Sequence, residues 1–212
     1  MRGVRRFSII IPAHNSSTYI INALESVKKQ TFKSYELIVI CDSCTDNTEK
    51  IAKSYGAKTY VVDFHNDGLS RSKGLDVAKG EYVLFMDDDD WWLHEFVLEQ
   101  IDKKLKSYDK IVDILCFSFI FKGVCYASPL LNHNDYWHAV WNKCWRRAVI
   151  GDTRFPNIYS KSDSYFHTDM FKKNLCVKIW DMPMYYYNYL RDGSISKREG
   201  QKARNIKKWL NT

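Results

Sequence analysis

The sequence predicts an α/β protein built on a doubly wound, mostly parallel sheet with helices on both faces, and three observations carry that prediction. Near-continuous apolar runs rich in β-branched and aromatic residues occur at 7–11, 35–41, 59–62 and 82–86. They are too short for helices and lack the alternation of a half-wet strand, as expected of parallel strands covered on both sides. Segments with helical spacing separate them, giving the order β-α-β-α-β-α-β of right-handed crossovers. Finally, His14 and Asn15, Asp42, Asp63 and His65, and Asp87 to Asp90 each fall just after one of these runs. That places them on one rim, at the carboxyl ends of the strands, where such sheets gather ligands.

Taken in order, the first strand (7–11) closes at Pro12, and Ser16 or Ser17 can cap a helix in which Ile20, Leu24 and Val27 recur through Lys29. The second strand (35–41) ends at Asp42; Thr45 or Asp46 can cap a helix carrying Ile51, Ala52 and Tyr55, which Gly56 stops. The third strand spans 59–62 and a helix of suitable length spans 68–79. The fourth strand, 82–86, runs directly into four carboxylates. A helix at 95–108 uses Val97, Ile101 and Leu105 as its inner stripe, followed by a long apolar strand at 111–121. The second half is less regular. An aromatic-rich stretch at 136–145 leads to one helical turn at 146–150, and Phe155-Pro156 opens a loop. Ser162 or Asp163 can cap a helix with Phe166 and Met170 on one side, and short strands follow at 177–180 and 185–189.

Composition narrows the chemistry. At 212 residues, 45% hydrophobic and 15% aromatic, and with no internal repeat, the chain reads as one domain with a full core. A net charge of +7 favours an anionic partner: a nucleotide, a nucleic acid or a membrane surface. The six cysteines include a single C-x-x-C, Cys41 and Cys44, with no second pair to complete a zinc site, and read as reduced cytosolic thiols. Arg2, Arg5 and Arg6 before 7–11 imitate a signal peptide, but the apolar run is too short, and no stretch is long enough to span a bilayer. The expected location is cytoplasmic.

The run Asp87 to Asp90 is costly on its own, since like charges about 4 Å apart repel by roughly 4 kcal/mol at an effective dielectric of 20. A bound cation reverses that cost. Asp87 and Asp89, two apart, can point to one side of an extended segment and offer the hard oxygens that Mg2+ or Mn2+ prefers. An isolated run of this kind is more often an acidic surface turn; the shared rim favours the cation. With no G-x-x-x-x-G-K and no G-x-G-x-x-G, a glycine-rich phosphate cradle is disfavoured.

Six segments in sequence then carry a resemblance: S-I-I-I-P-A-H-N from Ser8, D-S-C-T-D from Asp42, S-R-S-K-G followed by G-E-Y-V-L-F-M-D-D-D-D, W-N-K-C-W-R-R from Trp141, R-F-P from Arg154, and P-M-Y-Y-Y-N-Y-L-R-D-G-S-I-S from Pro183. The chain resembles the family 2 glycosyltransferases of the GT-A fold, a Rossmann-like sheet, over almost its whole length. The resemblance implies a nucleotide-sugar half at 1–92, an acceptor and catalytic half at 93–193, and a basic tail at 194–212. It implies that Asp42 accepts a hydrogen bond from the donor's base, commonly uracil, and that Pro12, His14, Asn15 and Asp88 line the donor site. Asp87 and Asp89 would form the D-x-D motif that binds Mn2+ or Mg2+ and the ribose side, with Arg71 close to the diphosphate. Asp163 would be the catalytic base, with Asp169 its rival, and Trp91 and Trp92 would face the acceptor unless they pack in the core. Departures are Ser162, where the family often has Glu; Cys41, where a first Asp is common; and His14, in place of a frequent aromatic.

The implied activity is inverting transfer from a nucleotide-sugar, commonly a UDP-sugar, to the hydroxyl of an acceptor glycan or lipid-linked glycan. Alternatives are the same chemistry on a hydroxymethylated base in viral DNA, and a non-catalytic sugar-nucleotide-binding module. In the tail, Lys197, Arg198, Lys202, Arg204, Lys207 and Lys208 surround Ile206, Trp209 and Leu210. That pattern suits peripheral contact with an anionic membrane at its inner face, and equally DNA.

Overall fold

The computed structural model describes residues 5–126 and 138–188. The basic tail, the residues before His138 in the aromatic-rich stretch and the last residue of the expected 185–189 strand lie outside them.

The first half is the predicted α/β unit. Strands β1 (Phe7–Ala13), β2 (Tyr35–Asp42), β3 (Lys58–Val62) and β4 (Tyr82–Phe85) alternate with helices α1 (Ile20–Lys28), α2 (Thr48–Ser54) and α3 (Asp67–Val77). All three strand pairings in the order β3-β2-β1-β4 are parallel. Every residue of β1 is buried, and its side chains divide between two cores: Phe7, Ile9 and Ile11 on one face, Ile10 on the other. Helix α1 covers the first face through Ile20, Ala23, Leu24 and Val27, and α3 covers the second, where Gly74 admits Ile10. A Cβ at Gly74 would sit 2.3 Å from Ile10 Cγ2, so glycine sets how closely the helix approaches the sheet.

The second half is mixed. It comprises β5 (Trp91–Trp92), α4 (Val97–Lys106), β6 (Ile114–Phe121), β7 (Val124–Tyr126), β8 (Lys143–Arg146), α5 (Arg147–Ile150), α6 (Ser162–Phe171) and β9 (Val177–Tyr187). Strand β8 inserts antiparallel between β4 and β6, β9 pairs parallel with β6, and β5 pairs antiparallel with β9. Strands β5, β7 and β8 were not expected as strands. The two short strands expected near the end are one, β9, with register shifts opposite Ser118.

Sheet order positions the site. Strands β2 and β3 lie on one side of β1 and β4 on the other, so the winding reverses between β1 and β4, where a crevice opens at the carboxyl rim. Strand β4 pairs with β1 only over Phe7 to Ile10. Pro12 therefore sits in a central strand without breaking a ladder on the β4 side. The chain leaves the sheet after Met86 and enters the Asp run at this crevice.

Several caps differ from expectation. Helix α1 begins after Tyr19 without a side-chain cap, and the Ser16 carbonyl receives the Tyr19 and Ile20 N–H groups instead. Neither Ser162 nor Asp163 caps α6: both are inside its first turn, preceded by Lys161 in the left-handed region (φ 64°). Helix α3 has the one conventional cap of this region, Asn66 Oδ1 accepting from Leu69 N–H at 3.0 Å.

Candidate active site

Three loops meet at the carboxyl rim, and each carries a non-glycine residue with positive φ: Asn15 (46°) after β1, Ser43 (51°) after β2 and His65 (50°) after β3. Such backbone persists only where neighbours over-determine it. Here the neighbours are identifiable. Asn15 Oδ1 accepts from the N–H and hydroxyl of Thr45, and Asp46 receives Ser17 N–H and Thr48 N–H, so the β1 and β2 loops are laced together.

Asp42 organises the third loop. Its Oδ1 accepts the N–H groups of Phe64 (2.7 Å) and His65 (2.9 Å), and its Oδ2 accepts Asn66 N–H (2.8 Å) and the Ser70 hydroxyl (3.0 Å). The Ser43 hydroxyl lies 2.9 Å from Oδ1 as well. Burial pushes this carboxyl up, but the bonds from Asn66, His65, Phe64 and Ser43 outweigh it and hold the group below the ordinary carboxylate range. A carboxylate has about four lone-pair sites, and all are taken. In this arrangement the side chain is a buried tie within the rim. His14 Nδ1 donates to the Asp42 carbonyl at 2.7 Å, and its ring stands 6.3 Å from that of His65, edge to face, at the mouth of the crevice.

The Asp run alternates. Asp88 (7% exposed) and Asp90 (0%) are buried, while Asp87 and Asp89 are half-buried, the alternation their spacing predicts. Asp88 receives His14 N–H at 3.4 Å. Asp90 accepts the Tyr185 hydroxyl at 2.6 Å and Asn188 N–H at 2.7 Å, and the same hydroxyl accepts Asp87 N–H at 3.1 Å. Burial, with Asp87 and Asp89 nearby, pushes the Asp90 carboxyl well above its usual range. Asp90 and Tyr185 thus form an internal brace that fixes the backbone of the half-buried pair.

Arg71 is not a surface arginine. It is 4% exposed, donates from Nη1 to Asp67 at 2.5 Å and from Nη2 to Asp87 at 2.6 Å, and has Nη1 3.4 Å from Asp163 Oδ1. Its guanidinium also lies over the Phe155 ring. Asp163, from the start of α6, is thereby brought beside Asp87, from the end of β4. Among the described residues Asp163 Oδ1 has no hydrogen-bond partner. Burial pushes this carboxyl up to about 6, against the pull of Arg71 and with the help of Asp87 and Asp67. Asp169 points away, exposed and paired with Lys172 at 2.8 Å.

An aromatic wedge fixes α6 over this point. Phe155, from the loop before the helix, stacks on Phe166 (4.1 Å, 4°), and Phe85 of β4 meets both edge-on. Asn66 links the two halves of the site: its Nδ2 donates to the Ile158 carbonyl (3.0 Å) and lies 3.3 Å from Asn157 Oδ1, while its backbone is tied to Asp42. Sequence reasoning missed Asn66 and Asp90, whose roles depend on partners 91 to 98 residues away. Trp91 stacks on Tyr186 (4.3 Å, 9°) and Trp92 is 3% exposed in the core, and both line a hollow of about 350 Å³.

Comparison with known proteins is consistent with this geometry. The model of the family described as glycosyl transferase family 2 matches residues 8–180. Glycosyltransferase GlyA of Streptococcus pneumoniae is 26% identical over 74% of this chain and 22% of its own length. The putative glycosyltransferase EpsH of Bacillus subtilis is 36% identical over 85% of this chain and 60% of its own. The chain thus spans less than two thirds of these relatives. The crystal structure of Staphylococcus aureus TarS 1-349 in complex with UDP-GlcNAc superposes with a TM-score of 0.77 at 26% identity, covering 89% of this chain and 60% of that one. A mannosyltransferase from Pyrobaculum calidifontis, at 16% identity and TM-score 0.72, shares the fold over 93% of this chain and 61% of its own.

Proposed function

Because this chain belongs to glycosyl transferase family 2, we propose that it moves a sugar from a nucleotide-sugar, most simply a UDP-sugar, to an acceptor hydroxyl with inversion at the anomeric carbon. The observation that carries the proposal is the meeting of Asp163, Arg71 and Asp87 at the crevice between β1 and β4. A carboxylate held at 3.4 Å from its arginine, with no hydrogen bond to Oδ1 and a pKa pushed up to about 6, is suited to take a proton. Beside it, buried Arg71 supplies a positive charge shared among Asp67, Asp87 and Asp163.

A divalent cation fits the residues present. Asp87 and Asp89 offer two half-buried hard carboxylates, and no group of three potential ligands is found among the described residues. Two carboxylates leave the remaining coordination for the donor's phosphates and water, the usual arrangement for Mg2+ and Mn2+. When bound, the cation would offset charge on the departing nucleoside diphosphate. The protein's own contributions are separate. Asp163 accepts the acceptor's proton, Arg71 offers positive charge to the diphosphate, and Asp90 with Tyr185 holds Asp87 in place. Since Asp42 is spoken for, base recognition falls to the His14 and His65 rings and the backbone of the loops they occupy.

The likeness to a protein crystallised with UDP-GlcNAc supports a uridine nucleotide. The same relative's name, poly(ribitol-phosphate) β-N-acetylglucosaminyltransferase, supports a polymeric or glycan acceptor, and a chain of net charge +7 suits one that carries phosphates. Trp91, stacked at the rim of its hollow, is the candidate acceptor-side residue. The test is turnover with UDP-sugars and Mn2+. Asp163→Asn is expected to lower nucleotide release by roughly 10² to 10⁴ with donor affinity near wild type, and Asp169→Asn to be mild. If Asp169→Asn is the inactive variant, the assignment of the base fails.

A further inference from the structure

Strand β8 carries a lysine in the apolar layer under α6. Lys143 is 0% exposed, and its ammonium donates to the Ala139 carbonyl at 2.6 Å and to Asn142 Oδ1 at 2.9 Å. An apolar side chain of the same length would fill this space without the cost of burying a charge, which calls for a use of that charge.

Geometry indicates the use. Alternation along the strand puts Lys143 and Trp145 on one face. Trp145 lies under the middle of α6, its ring 5.5 Å from Phe166 and 6.4 Å from His167. Stepping back two residues along β8 covers about 6.5 Å, and stepping back one turn of α6, from Phe166 or His167 to Ser162 or Asp163, covers about 5.4 Å. The two steps match and run the same way, since Lys173 after α6 donates to the Val149 and Ile150 carbonyls of α5, which follows β8, so Lys143 lies toward the first turn of α6 and Asp163.

The charges facing Asp163 are Arg71 and Asp67 from α3, Asp87 after β4 and Lys143 from β8. Those facing Lys143 are Cys116 of β6, Asp163 and His167 of α6, and His138. Three carboxylates share Arg71, which is 2.5 Å from Asp67 and 2.6 Å from Asp87 but 3.4 Å from Asp163. Its charge is committed mainly to the other two, and an incoming diphosphate would draw on it further. Burial lowers the Lys143 ammonium to about 8, opposed by Cys116 and Asp163, so it is still largely charged at neutral pH.

We propose that Lys143 is a positioning residue for the base: a fixed counter-charge behind Asp163 that keeps its carboxylate ionised while Arg71 serves the donor. The inference rests on the reading of Asp163 as the base of glycosyl transfer.

The test is the rate–pH profile of nucleotide release by the full chain, with Mn2+ and the UDP-sugar that the wild type turns over. Lys143→Met, close in volume and uncharged, and Lys143→Gln, which can still donate to the Ala139 carbonyl, should fold and bind UDP as the wild type does. Each should move the acid limb upward by about one pH unit, lowering the rate roughly threefold at pH 6.5 and little at pH 8.5. Lys143→Arg, if it folds, should keep the wild-type limb. An unshifted limb in Lys143→Met and Lys143→Gln overturns the proposal, and so does failure of both to fold, which would make Lys143 a structural tie only. Asp163→Asn, run in parallel, separates the two readings. Full activity in that variant removes Asp163 as the base, whereas an inactive Asp163→Asn with unshifted Lys143 variants removes the Lys143 role alone.

Discussion

At the scale of single residues, the site is built from carboxylates given different tasks by their surroundings. Asp42 is saturated by donors, Asp90 is buried against Tyr185, Asp87 is paired closely with Arg71, and Asp163 is paired with it only at 3.4 Å. Replacing Asp42 by Asn puts an amide donor against backbone N–H groups. The expected cost is about 1–3 kcal/mol in thermal unfolding, together with weaker donor binding as residues 63–66 loosen. Asp163 carries a pH dependence with a definite sign. Its folded pKa of about 6 lies above the ordinary 3.8, so the folded state holds the proton more tightly. The carboxylate therefore costs stability above pH 6, and that cost fades as pH falls toward 4. Asp163→Asn should accordingly melt higher than wild type at pH 7.5, with the difference shrinking toward pH 4; a lower melting temperature at pH 7.5 would contradict this. Of these residues the half-buried pair Asp87 and Asp89 was legible in the sequence, because spacing along an extended segment fixes sidedness. Arg71 read nearly as well as a surface residue, and the partners of Asp42 and Asp90 depend on which groups the fold returns to them.

At the scale of elements, the site depends on how α6 sits on α3 and β4. A Cβ on Gly68 would lie 2.8 Å from Ser162 Cβ, so the first turns of the two helices touch with no space between them. This accounts for a small residue at 162. Gly68→Ala should displace the start of α6, costing about 1–3 kcal/mol of stability. It should also lower turnover well beyond what that loss explains at a temperature where the variant is folded. Turnover equal to wild type in a folded variant would show that Asp163 does not depend on this contact. The parallel half was legible because fully buried strands read as unbroken apolar runs. Strand β8, K-C-W-R, was not, since a buried lysine breaks such a run, and two-residue β5 is shorter than any pattern can register. The register shifts in β9 opposite Ser118 likewise divided one strand into two.

At the scale of the whole molecule, the winding reverses between β1 and β4 and leaves a crevice whose rim is held by three strained loops, a four-carboxylate run and one buried arginine. The order of strands and polar residues in the first half made that rim visible in the sequence. The covering helix α6 and the inserted antiparallel strand β8 were set by long-range pairing. The central claim is that this rim takes a nucleoside diphosphate through a cation held by Asp87 and Asp89, since these carboxylates would otherwise repel it. Isothermal titration of a UDP-sugar into the protein, with Mn2+ and then with chelator, tests that claim most directly. Binding should be present with Mn2+, lost with chelator, and lost again with Mn2+ in Asp89→Ala while that variant stays folded; equal affinity with and without the cation would contradict it.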